Sequence, residues 1–308
     1  MRFKFVLFAI LCASAVAFAA AEASQDQDQD DVRGAFLTSR PKEKASASEG
    51  SSRPSRRRPR VSPASNSGKA SEKKTSNSSP SIGGSAPVQK SSEPPRPVNA
   101  PRIGLGMTLF TRDSNGLAVR ADPEHVFRKG DRVRLLLETN TDGYLYIFNQ
   151  TNDGPVIMIY PDKDLDEAGN YIKAHVPWEI PSGAADEERL RWLVFDEYPG
   201  NERLFLVLTR EPLKSVPIED DLVSFCSSAS GNCPWRPDTE VWELIQKQMQ
   251  EPLTTDKSAR YGKAQTAPEQ QAATRGLGLA KDDPEPSLIM MASSKSPMLV
   301  ATLDLVHK

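Results

Sequence analysis

Residues 127–161 read Phe-Arg-Lys-Gly-Asp-Arg-Val-Arg-Leu-Leu-Leu-Glu-Thr-Asn-Thr-Asp-Gly-Tyr-Leu-Tyr-Ile-Phe-Asn-Gln-Thr-Asn-Asp-Gly-Pro-Val-Ile-Met-Ile-Tyr-Pro. Three short apolar runs are separated by Asp142-Gly143 and Asp153-Gly154, dipeptides that favour tight hairpin turns. The runs are too short for helices and rich in aromatic and branched residues, so they read as strands. Lys129-Gly130-Asp131 leads into the first, and Pro161 stops the last. Tyr144 to Phe148 and Val156 to Tyr160 carry apolar residues on both faces, which calls for strands covered on both sides. The fold class that follows is all-β, an antiparallel, Greek-key-like β-sandwich.

Further strands extend this core in both directions. Ile103, Leu105, Met107 and Leu109 alternate with Gly104, Gly106 and Thr108, and Asn115-Gly116 marks a hairpin into Leu117-Ala118-Val119. Strand-like segments recur at Tyr171–Ile180, Leu190–Phe195 and Arg203–Thr209. Met298–Val306 alternates as a closing strand. The domain is therefore placed at 101–308, with a largely irregular insertion at 214–297. That insertion is expected to hold one short helix, about Thr239 to Gln250, capped by Asp238 or Thr239 and apolar at Val241, Trp242, Ile245 and Met249. Residues 252–287 read as mobile.

The N-terminal third has a different texture. Arg2 and Lys4, an apolar run from Phe5 to Ala19 and Ala21-Glu22-Ala23 form a signal-peptide pattern over 1–23. No later stretch is long enough to span a bilayer. Residues 24–100 carry 14 Lys/Arg against 8 Asp/Glu, whereas 101–308 carry 23 against 32, an asymmetry hidden in the whole-chain charge of −2. The 24–100 segment is rich in Ser, Pro and basic residues, and reads as a disordered linker. Its basic knot, Arg53, Arg56, Arg57, Arg58 and Arg60, is suited to contact with an anionic envelope surface. Nucleic acid is disfavoured as a partner, because the chain reads as exported and no aromatic residues interleave the arginines. Removal of Cys12 with the signal leaves Cys226 and Cys233, which should pair in an oxidising compartment. Closing so small a ring stabilises by about 2.5 kcal/mol in the chain-entropy view.

Lys129-Gly130-Asp131, Asp142-Gly143-Tyr144-Leu145-Tyr146, Gly154, Tyr160-Pro161, Asn170-Tyr171-Ile172, Ile180-Pro181 and Pro199-Gly200-Asn201-Glu202 together resemble the bacterial family called domain of unknown function 4384. The resemblance runs over about residues 101–213 and the last strand. It implies an exported or modular β-sandwich, often beside signalling or envelope domains, and it implies no catalytic residues.

Candidate site residues are few. Tyr144 and Tyr146 share one side of their strand and read as packing residues or, more sharply, as a ligand-stacking platform. Asp162, Asp164 and Asp166 offer carboxylates at spacing two that could converge on calcium, but Glu167 and Lys173 break the EF-hand pattern. His125, His175 and His307 lie on separate segments without metal-ligand neighbours. No nucleophile elbow, zinc-protease helix or phosphate loop occurs, so no catalytic residue and no cofactor is assigned. The expected function is an exported, non-enzymatic binding or scaffolding module of the bacterial cell envelope, periplasmic or extracellular, with a protein or envelope polymer as partner. The alternatives are an envelope hydrolase with an unrecognised site and a calcium-dependent adhesion or secretion accessory. A polar cluster in a deep pocket would favour the hydrolase, and an open sheet edge would favour partner binding. Cleavage after Ala23 predicts a mature chain beginning at Ser24; N-terminal sequencing of exported protein checks this, and recovery of intact Met1 in a membrane fraction would refute it.

Overall fold

Side-chain alternation sorts the strands into two sheets in the computed structural model, which describes residues 32–42, 101–163, 169–228, 233–258 and 260–308. The first sheet contains β1 (Gly104–Arg112), β2 (Ala118–Arg120), β3 (Arg132–Thr139), β7 (Trp178–Ile180), β8 (Leu193–Val194), β10 (Thr254–Lys257) and β11 (Leu288–Met291). Its main order is β10-β11-β1-β3-β7, with β2 on β1 and β8 on β3. The second sheet contains β4 (Gly143–Thr151), β5 (Ile157–Tyr160), β6 (Tyr171–Ile172), β9 (Gly200–Thr209) and β12 (Met298–His307). Its order is β12-β9-β4-β5, with β6 on β4. All strand pairs are antiparallel.

Register decides which residues face the interior. In the β1–β3 pair Leu105 opposes Thr139, Met107 opposes Leu137 and Leu109 opposes Leu135. The apolar members, Leu105, Met107, Leu109, Leu135 and Leu137, pack with Leu145 and Ile147 of β4, Leu204, Leu206 and Leu208 of β9, and Leu299, Leu303 and Leu305 of β12, in one buried cluster between the sheets. The intervening residues face outward yet are also covered. On the second sheet Tyr146, Phe148, Phe205, Val207 and Val300 are buried beneath α2 (Glu219–Ser227) and α3 (Thr239–Met249), through Leu222, Val241 and Ile245. On the first sheet Phe110 and Leu136 lie beneath Trp192 and Ala273 of α4 (Ala267–Arg275). Ile289 and Met291 of β11 lie beneath Val32 and Phe36 of α1 (residues 32–37).

Local chemistry explains several boundaries. Asn115-Gly116 turns β1 into β2 with Gly116 at φ 82°. Gly143 and Gly154 can adopt positive φ at tight turns, but neither does. Gly143 is required for a close approach instead: a Cβ there would lie 2.3 Å from the Thr209 carbonyl oxygen of β9. Asp238 caps α3 by accepting from Val241 N at 2.8 Å, and Met249 turns to solvent rather than joining the apolar face. Cys226 and Cys233 form a disulfide. It ties α2 to the segment in which Trp235 packs on the second sheet and its carbonyl accepts from Met158 N of β5.

Several expectations are corrected. The 214–297 insertion holds more regular structure than expected: α2, α3 and α4 cover the sheets, and β10 and β11 extend the first sheet. Residues 252–287 accordingly include ordered structure, and the single expected helix is one of several among the described residues. Residues 32–42 of the expected linker belong to the folded unit, because Val32 and Phe36 supply core surface at helical spacing. The single strand read over Tyr171–Ile180 is two, β6 and β7, which join different sheets. The expected signal peptide and Arg53, Arg56, Arg57, Arg58 and Arg60 lie outside the described residues. Among the described residues no helix is long and apolar enough to cross a membrane.

The last strand does pair within this sheet system, over its whole length with β9, from Met298 opposite Thr209 to His307 opposite Gly200. A chain ending at Pro297 would expose Leu204, Leu206 and Leu208 along the new edge. Its cooperative thermal transition should be lost. Leu303→Ala, a milder change, should cost about 2–5 kcal/mol, read as a shift in the denaturant midpoint at unchanged slope.

Candidate functional site

The outer face of the first sheet carries charge where a sandwich ordinarily carries solvated side chains. Arg134 and Glu138 of β3 and Arg120 of β2 are all buried there, and each has an opposite charge. Arg120 pairs with Glu269 of α4 and donates to Ser287 Oγ at 2.9 Å. Arg134 lies 3.7 Å from Glu179 of β7 and stacks over Trp192 at 4.5 Å. Burial pushes both guanidinium pKa values down, and the neighbouring carboxylates oppose it.

The third pair is the most complete. Arg40 follows α1, and its side chain is fully removed from solvent. Its Nε donates to Glu138 Oε1 at 2.8 Å and its Nη2 to Glu138 Oε2 at 2.6 Å. Nη1 donates to the carbonyls of Ala280 and Asp283, and Nη2 to that of Pro284. All five guanidinium N–H donors are thereby used. Glu138 also meets His175 Nδ1 at 2.8 Å, and His175 Nε2 lies 2.8 Å from Ser39 Oγ. The ionised carboxylate can only accept, so Nδ1 is the donor. Ser39 Oγ has a second acceptor in the Phe36 carbonyl, at 2.7 Å. Burial alone would raise the Glu138 carboxyl pKa; hydrogen bonds from His175 and Arg40, with the Arg40 charge, outweigh it and hold the group below the usual carboxylate range.

His175 reaches this cluster because residues 173–177 cross from β6 in one sheet to β7 in the other. The crossing places His175 at φ 57°, a left-handed conformation uncommon for a residue with a side chain. Its N–H donates to the Thr139 carbonyl, and its own carbonyl accepts from Leu279 N, both at 2.7 Å. Sequence reading passed over this cluster. Its four members come from three distant segments, and the one available signal was Val32 and Phe36 at helical spacing within an otherwise apolar-poor stretch.

The residues singled out from sequence lie elsewhere. Tyr146 is fully buried, and its hydroxyl accepts from Leu213 N at 2.9 Å. It therefore offers no ring face to a ligand, which corrects the stacking-platform expectation for this residue. Burial raises its pKa, against hydrogen bonds to Asn170 and Leu213. Tyr144 is half-buried on the same face and meets the exposed Tyr171 edge-on at 5.3 Å. Asp162 is among the described residues, whereas Asp164 and Asp166 are not. Among the described residues no cluster of three or more His, Cys, Asp or Glu side chains is placed to hold a metal. The depression beside Glu138, lined by Thr108, Pro177, Leu279 and Pro286, is no larger than a single water.

One sheet edge is open. β12 is the terminal strand of its sheet. Phe127 N donates to the Val306 carbonyl and Lys308 N to the Phe127 carbonyl. The backbone groups of even-numbered β12 residues therefore point away from β9. The Val306 carbonyl and the Lys308 N–H are satisfied in this way, whereas Thr302 and Asp304 make no outward backbone hydrogen bond among the described residues, and Val300, which makes none either, is buried beneath the helices. Thr302 and Asp304 are solvent-exposed.

A two-sheet antiparallel fold with helical covers, a buried polar cluster and an open edge defines a β-sandwich module. Residues 126–212 match the profile of the family described as domain of unknown function (DUF4384). The matched span runs from just before β3 through β9, so β1, β2, β10, β11 and β12 lie outside it. It is narrower than the resemblance read from the sequence. Comparison with curated proteins and with solved structures finds no match.

Because the folded-state pKa of Glu138 is depressed, its contribution to stability is fully present above the unfolded value of about 4.3 and is lost as pH falls through the folded value. Glu138→Gln should flatten that acid limb, measured as denaturation midpoints between pH 3 and 7. Arg40→Ala leaves a buried carboxylate without its main partner and should cost about 3–5 kcal/mol, read by equilibrium unfolding at neutral pH.

Proposed function

We propose that this protein is an exported binding or scaffolding module of the cell envelope, and that it engages a protein partner by strand addition along β12. The observation that carries this reading is the open edge at Thr302 and Asp304. Such a row of unpaired backbone groups is a ready template for an extended segment, with backbone hydrogen bonds supplying affinity and flanking side chains supplying selectivity. The remaining edges of the two sheets are formed by much shorter strands, and that of β5 is partly occupied by Trp235. Export is supported by the signal-like sequence of residues 1–23 and is compatible with the Cys226–Cys233 disulfide.

A hydrolase is the second reading, and it draws on the alignment of Ser39, His175 and Glu138, which has the connectivity of a nucleophile, a base and an orienting acid. Two facts weigh against it. The adjoining depression has no room for a substrate, and the Ser39 hydroxyl is shared with the Phe36 carbonyl. A fluorophosphonate probe that labelled Ser39 would favour the hydrolase.

Thr302→Pro removes one outward N–H and leaves the ladder to β9 intact, since proline is tolerated on the free side of an edge strand. The expected outcome is a small change in melting temperature together with loss of partners cross-linked to the wild-type protein in envelope extracts. An unchanged partner set would remove the edge from consideration. Recovery of the full-length protein from cytoplasm alone would overturn the placement in the envelope.

A further inference from the structure

The segment of residues 32–41 sits on the domain as a bound peptide does. Phe36 enters a slot over the two glycines of β1: a Cβ at Gly104 would stand 2.9 Å from its ring, and one at Gly106 would stand 3.1 Å from it. The glycines that alternate through β1 thus make room for this ring and for Pro286. Below the slot lie Ile289 and Met291, in a small cluster separate from the main core. At one end Arg33 Nε donates to Asp256 Oδ2 at 2.5 Å, and the same guanidinium pairs with Glu285. At the other end Arg40 is bound by Glu138 and three carbonyls, while His175 meets Ser39. The Pro41 carbonyl accepts from Lys281 N at 3.1 Å. An aromatic anchor flanked by a fully engaged Arg40 and by Arg33 paired with two carboxylates is the arrangement of a recognition hot spot.

We propose that this groove is a binding site for a segment of the form Arg-x-x-Phe-x-x-x-Arg, and that its second occupant is the same segment of another copy of this chain. Residues 43–100 separate the segment from β1, a connector of 58 residues. Its contour allows about 200 Å at full extension, against a radius of about 17 Å for a domain of some 210 residues. Covalent geometry therefore permits seating on the chain's own groove or on a neighbour's. Every contact named above is identical in the two arrangements, so only effective concentration separates them. Exchange of an identical element between protomers is a low-cost route to association, and it links copies wherever they are crowded.

Two full-length variants test this by complementation. Phe36→Ala/Arg40→Ala vacates the groove and keeps it intact as an acceptor. Glu138→Ala weakens the groove and releases its own segment as a donor. Each variant alone should be monomeric by light scattering, and an equimolar mixture at high concentration should give a one-to-one complex. That complex should dissociate when a synthetic peptide of residues 31–42 is added in excess.

A direct measurement covers the case in which a variant does not fold. Wild-type protein carrying an inserted protease site between residues 60 and 80 is cut after folding, which leaves the segment held without a covalent bond. It should stay bound, and then exchange with fluorescently labelled 31–42 peptide. The same peptide with Arg40→Ala should bind at least tenfold more weakly. Failure of the labelled peptide to enter the cut protein overturns the binding site. Peptide exchange without any complex between the two variants overturns the second copy as occupant.

Discussion

β9 lies between β12 and β4, and its side chains alternate between two apolar compartments: Leu204, Leu206 and Leu208 face the first sheet, while Phe205 and Val207 face the helices. A strand buried on both faces cannot be half of a simple sandwich, in which one face of each sheet meets water. It requires a further layer. The chain supplies that layer from the segment between β9 and β12, as α2 and α3, with the disulfide fixing the path that delivers Trp235. The first sheet has the same need on its outer face, met by α4 and by residues 32–42. The layered architecture thus follows from the refusal of two central strands to be wetted on either side.

The two outer covers use different chemistry. The second sheet is sealed mainly by apolar packing. The first is sealed by ion pairs: Arg40 with Glu138, Arg120 with Glu269 and Arg134 with Glu179. A buried ion pair adds little net stability compared with an apolar pair of the same shape, because both charges lose hydration. What it does contribute is geometric selectivity. Glu138 accepts both prongs of a guanidinium at the end of a ten-residue segment, and only a side chain with a planar fork at that position can answer it. The acid that makes the groove selective therefore also makes the segment hard to replace by an arbitrary apolar peptide.

The family match over 126–212 takes in β3 to β9, but β9 depends on β12, and β3 depends on β1. The matched span is therefore not a stand-alone folding unit in this protein. Its two central strands obtain neighbours from chain that precedes and follows it.

Much of the fold was legible in the residues. Period-two alternation in Ile103–Leu109 and Met298–Val306, together with the hairpin signal at Asn115-Gly116, is local and survives without tertiary context, whereas Asp142-Gly143 turns the chain from β3 in one sheet to β4 in the other and closes no hairpin. The same holds for α3, whose cap and apolar stripe lie within a dozen residues. The candidate site was not legible, for an equally physical reason. Ser39, Arg40, Glu138 and His175 are polar residues with no local pattern, and polar residues are expected at the surface unless a partner is present. Their partners lie 98 and 136 residues away in the chain. What the sequence determined by itself was most of the longer strands, several of their turns and the cysteine pair, because hydrophobic period and turn stereochemistry act over a few residues; β10, β11 and the division of 171–180 into β6 and β7 were not among them. Which polar residues would be buried, that the 24–100 segment would return residues 32–42 to the folded unit, and that β12 would close a sheet while leaving its own edge open were decided only by the tertiary structure, since each depends on groups brought together across the whole chain.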